Sequence, residues 1–212
     1  IFLGGDLELF RAGFAPITVP CVLLTNTAQE LGFPNLSSFT TDDHLAAQQV
    51  VELLAAKGHT HIGLLGGNWS CSQISYSRLT GCRDACQRLG LPFDVDRQCE
   101  PCRYSMPEAY AATKVLLERC PDLTAIFAVS DVMAMGAIRA LADLGDISVV
   151  GYDGITAGQY FLPRLTTVRQ DIQQLAERGV DALLRSILRR SPSVHGLVPF
   201  HIVEGESVAQ LR

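Results

Sequence analysis

The sequence predicts an α/β fold in which buried parallel strands alternate with helices. Short, almost entirely apolar runs recur along the chain, and most of them are followed by a longer segment whose apolar residues lie near helical spacing. Strands buried on both faces and connected by helices of this length are typical of doubly wound sheets. The 212 residues contain no short-period repeat, so a solenoid is not expected.

Five apolar runs are predicted as the buried strands. The last run is the most informative, because it leads directly into Tyr152, Asp153 and Gly154. Such a strand delivers a carboxylate to the carboxyl edge of a parallel sheet, where ligands of open α/β sheets bind. In chain order the predicted strands cover residues 1–4, 21–24, 61–66, 125–129 and 147–151.

Five amphipathic segments are predicted as helices with recognisable ends. Pro107 suits a first helical position, Ser130 is a good N-cap, and Gly58 and Gly90 follow the ends of two segments. Gly179 weakens the last segment in its middle. In chain order the predicted helices cover residues 42–57, 78–89, 107–119, 131–144 and 171–190.

The charge balance excludes several classes of function. Seventeen basic and 22 acidic residues give a net charge of −5, whereas a module that binds nucleic acid needs a basic face. The nearest basic cluster, Arg185, Arg189 and Arg190, has the spacing of a solvated helix face. No apolar run is long enough to span a bilayer, so no membrane partner is expected. The chain starts inside an apolar strand without Met, which predicts a preceding segment.

Seven irregularly spaced cysteines favour a reducing compartment, so we expect a cytoplasmic protein. Cys82 and Cys86 lie four residues apart on one helix, and Cys99 and Cys102 form a CxxC pair, which leaves a four-thiolate zinc site as one interpretation. Structural zinc sites usually draw on turns, however, and one pair lies within a helix. Buried free thiols are therefore favoured, and neither a metal nor a cofactor is expected.

Motifs along nearly the whole chain resemble the LacI/GalR family of transcriptional regulators. The strand that ends in Tyr152-Asp153-Gly154 is similar to the "DISVVGFDD"-type strand of that family, whose Asp holds a small-molecule effector. The other matching segments are 58–66 (GHxxIxxxxG), 78–81 (RxxG), 121–137 (PDxTAIFAxSDxMAxGA), 163–171 (PxLTTVxQD) and 205–208, similar to the closing RESV element.

The resemblance implies a periplasmic-binding-protein-like fold of two α/β lobes, joined by three chain crossings and with an effector in the cleft between them. Crossings are expected near Thr40, Arg169 and Phe200. Residues 1–39 and 170–198 would form the remnant of an incomplete N-terminal lobe, and residues 40–169 and 199–212 the C-terminal lobe. The family's helix-turn-helix domain is absent from this sequence, and a disordered loop is expected at Gly145-Asp146.

The resemblance also implies an effector site. Asp153 would accept ligand hydroxyls, Arg78 would donate from a helix start, Ser130 would act as both cap and contact, and Tyr104 would form an aromatic wall. The remaining expected contacts are Ser72 in the loop before Arg78, Thr25 and Asn26 after the second strand, and Gln170 at a crossing.

Each residue also has a simpler interpretation. Asp153 and Ser130 could merely cap the next element, Arg78 could lie on a helix surface, Tyr104 could pack in the core, and Ser72 and Gln170 could be solvated. Thr25 and Ser130 replace stronger polar residues of the family. The ligand therefore stays open between a plain hexose and another small polar molecule, a phosphorylated one included.

The resemblance implies the effector-binding and dimerisation domain of a bacterial regulator, in which a sugar or related ligand controls how a homodimer binds operator DNA. The alternative is a periplasmic solute-binding protein of a sugar transporter, against which the seven cysteines and the lack of a signal peptide argue. No nucleophile elbow, P-loop or metal-ligand spacing is found in the sequence, so an enzyme is not expected. The effector, the operator and the sign of regulation stay open.

Overall fold

The computed structural model describes residues 1–67, 69–70, 73–142 and 147–211. Parallel strands alternate with helices, which confirms the predicted α/β class. The strands are β1 Phe2–Leu3, β2 Cys21–Leu24, β3 Leu36–Thr41, β4 Ile62–Leu65, β5 Cys99–Glu100, β6 Ala125–Ala128, β7 Ser148–Asp153, β8 Thr166–Gln170, β9 His195–Val198 and β10 Phe200–Val203. The α-helices are α1 Leu7–Gly13, α2 Asp43–Ala56, α3 Ile74–Leu89, α4 Val95–Gln98, α5 Met106–Arg119, α6 Asp131–Leu141 and α7 Ile172–Arg189.

The described chain divides into two compact units. The first unit consists of residues 1–42, 73–74 and 170–200, and the second of residues 43–70, 75–169 and 201–211. The chain passes between them after Asp42, Arg169 and Phe200, and residues 73–74 also belong to the first unit although residues 69–70 and 75 belong to the second. The sequence analysis expected crossings near Thr40, Arg169 and Phe200. The loop expected at Gly145-Asp146 lies outside the described residues.

The first unit is a parallel sheet of four strands in the order β1-β2-β3-β9, with α7 packed against β2 and β3. Val22 and Leu24 face α7, whereas Leu23 packs into a second cluster on the opposite face, as expected from the alternation of a strand. A Cβ added to Gly179 would lie 2.7 Å from Leu24 Cδ2. The glycine that weakens α7 therefore lets the helix lie close to β2.

Sequence patterns missed β3, because its side chains are mostly hydroxyls. Ser37 Oγ accepts a hydrogen bond from Val194 N at 3.1 Å, and Ser38 Oγ accepts one from Ala28 N at 2.9 Å. Ser38 Oγ also lies 2.8 Å from His195 Nδ1, a partner 157 residues away in sequence. The strand is thus stabilised by partners that no local pattern reveals. The other elements without a sequence prediction are α1, α4, β5, β8, β9 and β10.

The second unit contains a sheet of six strands in the order β10-β8-β7-β6-β4-β5, and the pairs from β8 to β5 are parallel. Its middle is apolar and closely packed: Leu64, Phe127 and Val150 are wholly buried. Because parallel strands end at the same edge, Ser130, which follows β6, and Asp153, the last residue of β7, lie at one edge of this sheet. No helix in the described part of the chain is both long and apolar enough to cross a membrane.

Candidate functional site

β7 ends in a sharp turn that carries Asp153. Asp153 has a φ of +112° and Gly154 a φ of +74°. Residues other than glycine rarely adopt a positive φ. A Cβ on Gly154 would lie 2.8 Å from Cα of Arg169 on the neighbouring strand, so glycine is required there. A strained backbone conformation persists only where contacts with the surrounding structure stabilise it, and such residues are most frequent at ligand-binding and active sites.

Asp131 holds this turn in place. It is the first residue of α6 and is fully buried. Its Oδ2 accepts a hydrogen bond from Ile155 N at 2.7 Å, and its Oδ1 accepts one from Thr167 Oγ1 on β8 at 2.5 Å. Burial raises the pKa of Asp131, although these hydrogen bonds and the charge of Arg169 oppose the rise. One carboxylate therefore joins α6 and β8 to the turn that presents Asp153.

Arg78 lies in the interior of the second unit and is only 4% exposed. Its Nε donates to Oδ1 of Asp43 at 2.8 Å, its Nη1 donates to the carbonyl oxygen of Val129, and its Cζ lies 3.5 Å from the ring centroid of Tyr152. Burial alone would lower the pKa of Arg78, but attraction to Asp43 and to the groups around it raises the pKa. The sequence analysis placed Arg78 at a helix start; this is wrong, because α3 begins at Ile74.

The glycine of the RxxG motif explains how Arg78 reaches Asp43. A Cβ on Gly81 would lie 2.3 Å from the backbone oxygen of His44 and 2.9 Å from Cβ of Ala47, both on α2. Only glycine allows α2 and α3 to approach this closely. The motif is thus a helix-packing device that brings the first residue of α2 to the second turn of α3.

Tyr152 forms the base of a cluster of side chains that also includes Asp43, Arg78, Tyr104 and Asp153. Its side chain is fully buried between Arg78 and Phe127, whose ring centroid lies 6.4 Å away. Burial, with Asp43 as the next cause, raises the pKa of the hydroxyl, which therefore stays protonated. Among the described residues no hydrogen bond to Oη has normal geometry, although the Asp43 carboxylate lies near enough to contribute to the rise in pKa. This buried polar atom is one that a ligand group or a water can satisfy.

Tyr104 lies at the rim of the cluster. Its side chain is 52% exposed, so the interpretation as a core residue is wrong. Partial burial of the hydroxyl raises its pKa, and Asp153 contributes to the rise while Arg78 opposes it. Asp153, Arg78 and Tyr104 thus lie within electrostatic range of one another. A cavity of about 410 Å³ adjoins Tyr104 and is lined by Gly67, Pro101, Cys102, Arg103 and Glu108.

Ser130 acts as the N-cap of α6. Its Oγ accepts a hydrogen bond from Met133 N at 3.3 Å, and its backbone is extended, as an N-cap requires. The Ser130 side chain is buried. The preceding residue, Val129, accepts a hydrogen bond from Arg78 through its carbonyl oxygen. The structure therefore shows the capping role, and direct contact with an effector stays a prediction.

Thr25 and Asn26 belong to the first unit, and local contacts engage both. Asn26 Nδ2 donates to the carbonyl oxygen of Gly5 at 3.1 Å, and its Oδ1 accepts from Thr27 N at 2.8 Å. Thr25 has a φ of +68°, and its N–H donates to the carbonyl oxygen of Phe39 at 2.9 Å. Asn26 thus orders the turn after β2, and an effector contact by either residue stays a prediction.

Gln170, the last residue of β8, also belongs to the first unit. Its Oε1 accepts a hydrogen bond from Thr41 Oγ1 at 3.0 Å, which ties the end of β8 to the end of β3. Gln170 is therefore not merely a solvated loop residue, although its expected role toward an effector stays untested. Ser72, the remaining candidate, lies outside the described residues.

A family model supplies the assignment that geometry alone leaves open. The model, described as a periplasmic binding protein-like domain, matches residues 51–208. This chain belongs to the periplasmic binding protein-like family. The match includes all of α3, β6, α6 and β7, the elements that build the cluster around Arg78 and Asp153.

Within the periplasmic binding protein-like family, the chain is similar to LacI-type regulators. The HTH-type transcriptional regulator MalR of Clostridium butyricum is 33% identical over 220 residues, which cover 98% of this chain and 63% of MalR. The solved transcriptional regulator CelR-cellobiose complex matches with a TM-score of 0.85 and 26% identity over 97% of this chain and 64% of that one. A dimeric Lac repressor with a C-terminal deletion matches with a TM-score of 0.83 and 28% identity, covering 97% and 75% of the two chains.

These likenesses confirm the predicted resemblance to the LacI/GalR family, and they favour a regulator over a transport protein. The chain spans less than two thirds of the length of MalR and of the CelR chain. The similarity is therefore that of an effector-binding domain of a LacI-type regulator.

Three residues of this periplasmic binding protein-like domain were missed as parts of the site. Asp43 looked like an ordinary acidic residue in a first helical turn, and Asp131 stood inside a matched motif without a role. Tyr152 stood directly after the predicted apolar strand and was given no role. The sequence shows that Asp43 and Asp131 are acidic residues in first helical turns and that Tyr152 places a hydroxyl next to a buried strand. Neither feature predicts which residue each side chain contacts.

The cysteines provide no second centre in this part of the domain. Cys71 lies outside the described residues, and the other six are free. Burial raises the pKa of Cys86 to about 11 and the pKa values of Cys99 and Cys102 to about 12, so these thiols stay protonated. Across the described ranges, no three His, Cys, Asp or Glu side chains are placed to hold a metal ion. The four-thiolate zinc interpretation finds no support there.

Proposed function

We propose that the chain is the effector-binding and dimerisation domain of a bacterial LacI-type transcriptional regulator, and that its effector is a sugar or related small polar molecule. The observation that carries the proposal is the strained turn that presents Asp153 beside Arg78 and Tyr104 at the carboxyl edge of the second unit's sheet. The solved CelR complex with cellobiose supports a sugar. The proposed role is regulatory rather than enzymatic, as in the relatives named above.

The cluster has the chemistry that a polyol needs. The Asp153 carboxylate can accept charge-assisted hydrogen bonds from hydroxyl groups. Arg78 has one nitrogen, Nη2, for which the described residues provide no hydrogen-bond partner, and it can donate to a ligand oxygen. The half-exposed ring of Tyr104 offers an apolar face for C–H groups beside a cavity of about 410 Å³, within the usual range for ligand pockets.

The proposal extends to partners by analogy with the relatives. The Lac repressor that matches this chain was solved as a dimer, and MalR is named an HTH-type regulator. We therefore expect a cytoplasmic homodimer that binds operator DNA through a helix-turn-helix domain outside this sequence. An effector that binds one of two conformations more tightly shifts the population and hence the affinity for the operator. Thr25, Asn26, Gln170 and Ser72 remain proposed contacts of that effector.

The test is a titration with maltose, cellobiose, glucose and ribose by isothermal calorimetry. Fluorescence of Trp69, the only tryptophan, provides a second signal, because its ring lies near Gly67 at the cavity beside Tyr104. Asp153→Ala should weaken a hit by about tenfold or more, as expected when a charged acceptor is lost. Asp84→Ala, which removes an exposed carboxylate of the same unit, should leave the affinity unchanged. An affinity that survives Asp153→Ala would show that the proposed site is wrong.

A further inference from the structure

We propose that Asp43 determines the charge of the ligand that this site accepts: by neutralising Arg78, it selects uncharged ligands over phosphorylated ones. The inference rests on the proposed function, since it concerns the same site. The sequence left a phosphorylated ligand open because Thr25 and Ser130 replace stronger polar residues of the family, and Arg78 gave an anion only weak support. The residues around Arg78 favour an uncharged ligand, for the three reasons that follow.

The donors of Arg78 are arranged against anion binding. Arginine recognises a phosphate through two neighbouring N–H groups that point along one edge of the guanidinium. In Arg78, Nε is bonded to Asp43 and Nη1 to the carbonyl oxygen of Val129. Either pair of neighbouring donors therefore contains one nitrogen that is already engaged. The Nε–Nη2 edge is therefore blocked by Asp43, and a contact along the Nη1–Nη2 edge would have to share Nη1 with the carbonyl oxygen of Val129.

The guanidinium is also held so that it cannot turn toward an anion. Arg78 and Asp43 are 4% and 5% exposed, and the ring of Tyr152 covers one face of the guanidinium at 3.5 Å. The close packing of α2 on α3 at Gly81 also fixes the two helices that carry the pair. Breaking the Asp43 contact would leave a carboxylate buried without its partner, which is strongly unfavourable.

The charges around the pair add to this selection. Asp153 places a second carboxylate within electrostatic range of Arg78. Two other cations also have acidic neighbours. Arg169 pairs in register with Asp153 and lies in the field of Asp131, and Arg103 lines the cavity beside Tyr104 together with Glu108. A phosphate group carries a charge of about −1.5 to −2 and would approach these carboxylates in a poorly solvated site. A neutral hydroxyl meets no such repulsion and can donate to Asp153.

The experiment compares matched neutral and phosphorylated probes on the wild-type protein. Glucose is paired with glucose 1-phosphate and glucose 6-phosphate, and maltose with maltose 6′-phosphate, by isothermal calorimetry. We expect the neutral member to bind at least about tenfold more tightly in each pair that binds at all. This measurement needs no variant, so it stays decisive if substitutions at the buried pair impair folding.

Asp43→Asn then tests the residue itself. The amide keeps an oxygen that can accept from Arg78 Nε but removes the negative charge, so the ratio of phosphorylated to neutral affinity should rise by about tenfold or more. The matched control is Asp84→Asn, which removes the carboxylate of an exposed pair between the same two helices and should leave the ratio unchanged. Circular dichroism establishes that each variant is folded.

The outcomes separate this inference from the proposed function. If the wild-type protein binds a phosphorylated probe as tightly as its neutral partner, or if folded Asp43→Asn keeps the wild-type ratio, the role of Asp43 is refuted. In both cases the proposed site stands as long as Asp153→Ala weakens binding. If no probe binds, or if binding ignores Asp153→Ala, the proposed function fails and this inference fails with it.

Discussion

Two of the acid–base pairs between α2 and α3 start from adjacent residues of α2. Asp43 contacts Arg78 at 2.8 Å, with both side chains at most 5% exposed. His44 contacts Asp84 at 3.0 Å, with side chains 41% and 40% exposed. The two distances are almost equal, so contact geometry does not distinguish the pairs. Access to water does, because it sets both the strength of the attraction and the cost of leaving a charge without its partner.

The difference arises from the helix and not from the residue types. Successive residues of an α-helix point about 100° apart, so Asp43 faces the interior of the second unit while His44 faces its surface. Exposed pairs of this kind stabilise proteins by about 0–1 kcal/mol. Removing one partner of a buried pair costs about 3–5 kcal/mol. The predictions below test this contrast from the largest expected effect to the smallest.

Arg78→Met should give the largest effect. Methionine keeps the apolar stem but leaves the Asp43 carboxylate buried without a cation, so the free energy of unfolding should fall by about 3–5 kcal/mol. Unfolding in urea, followed by circular dichroism at pH 7, measures the change. A loss below about 1 kcal/mol would place the buried pair in the class of exposed pairs and remove the contrast.

The double variant Asp43→Leu/Arg78→Met provides the control. Because well-packed apolar residues often replace a buried ion pair without loss, the double variant should be more stable than Arg78→Met alone. A double variant that is less stable than Arg78→Met would show that the lost packing of Arg78 on Tyr152, rather than the unpaired carboxylate, causes the effect.

The buried pair also shows which part of the site sequence reasoning could reach. Strands such as β6 were predictable because each of their residues is buried and apolar, and Asp153 stood out because it ends such a strand. The partner of Arg78 was not predictable, because Asp43 lies 35 residues away and reaches it only through the close packing at Gly81. Local patterns indicate which residues are polar but not which helices touch.

The same limit applies to Asp131 and to β3. Asp131 contacts Thr167, 36 residues away, and Ser38 of β3 contacts His195, 157 residues away. In both places buried polar atoms are satisfied by partners distant in sequence, so the local pattern resembles a loop or a plain helix start. A motif that resembles a family marks such residues as important, but their physical role appears only in three dimensions.

Gly81→Ala should have the second largest effect, since it moves both pairs at once. The new Cβ would lie 2.3 Å from the backbone oxygen of His44. Because this contact is with backbone, one of the two helices must move to relieve it. Overpacking of this kind costs about 1–3 kcal/mol, against a gain in helix propensity of up to about 1 kcal/mol. We therefore expect a net loss of stability in urea unfolding.

Gly13→Ala is the matched control for this substitution. Gly13 ends α1, and no atom lies within 4 Å of the position that its Cβ would take. The same change should there be neutral or stabilise by up to about 1 kcal/mol. Equal effects at the two glycines would contradict the close approach of α2 and α3.

His59, just after α2, extends the comparison of burial to pH. Its Nε2 donates to the carbonyl oxygen of Ala209 at 3.0 Å, and its Nδ1 is buried with no partner among the described residues. Burial, with Lys57 as a smaller cause, lowers the pKa of His59. Between this pKa and the value of about 6.5 in the unfolded chain, the unfolded state binds more protons, so stability falls as the pH falls.

The measurement is urea unfolding at pH 7.5 and at pH 5.5. The wild-type protein should lose stability on acidification, and His59→Gln should lose distinctly less. His61→Gln removes a histidine whose side chain is 42% exposed, and it should keep the wild-type loss. Identical losses in the wild type and His59→Gln would show that the buried Nδ1 does not control the response.

Asp84→Asn should have the smallest effect and should depend on conditions in a way that the buried pair does not. The hydrogen bond to His44, followed by the contacts of Arg83, lowers the pKa of Asp84. Its contribution is therefore full above the unfolded value of about 3.9 and is lost as the pH falls through the lower folded-state pKa. At pH 7 the substitution should cost less than about 1 kcal/mol, and 1 M salt should reduce that cost because the pair is exposed. The cost of Arg78→Met should change little with salt, since both side chains of its pair are at most 5% exposed. If both costs responded equally to salt, burial would not be what distinguishes two pairs of nearly equal length on the same two helices.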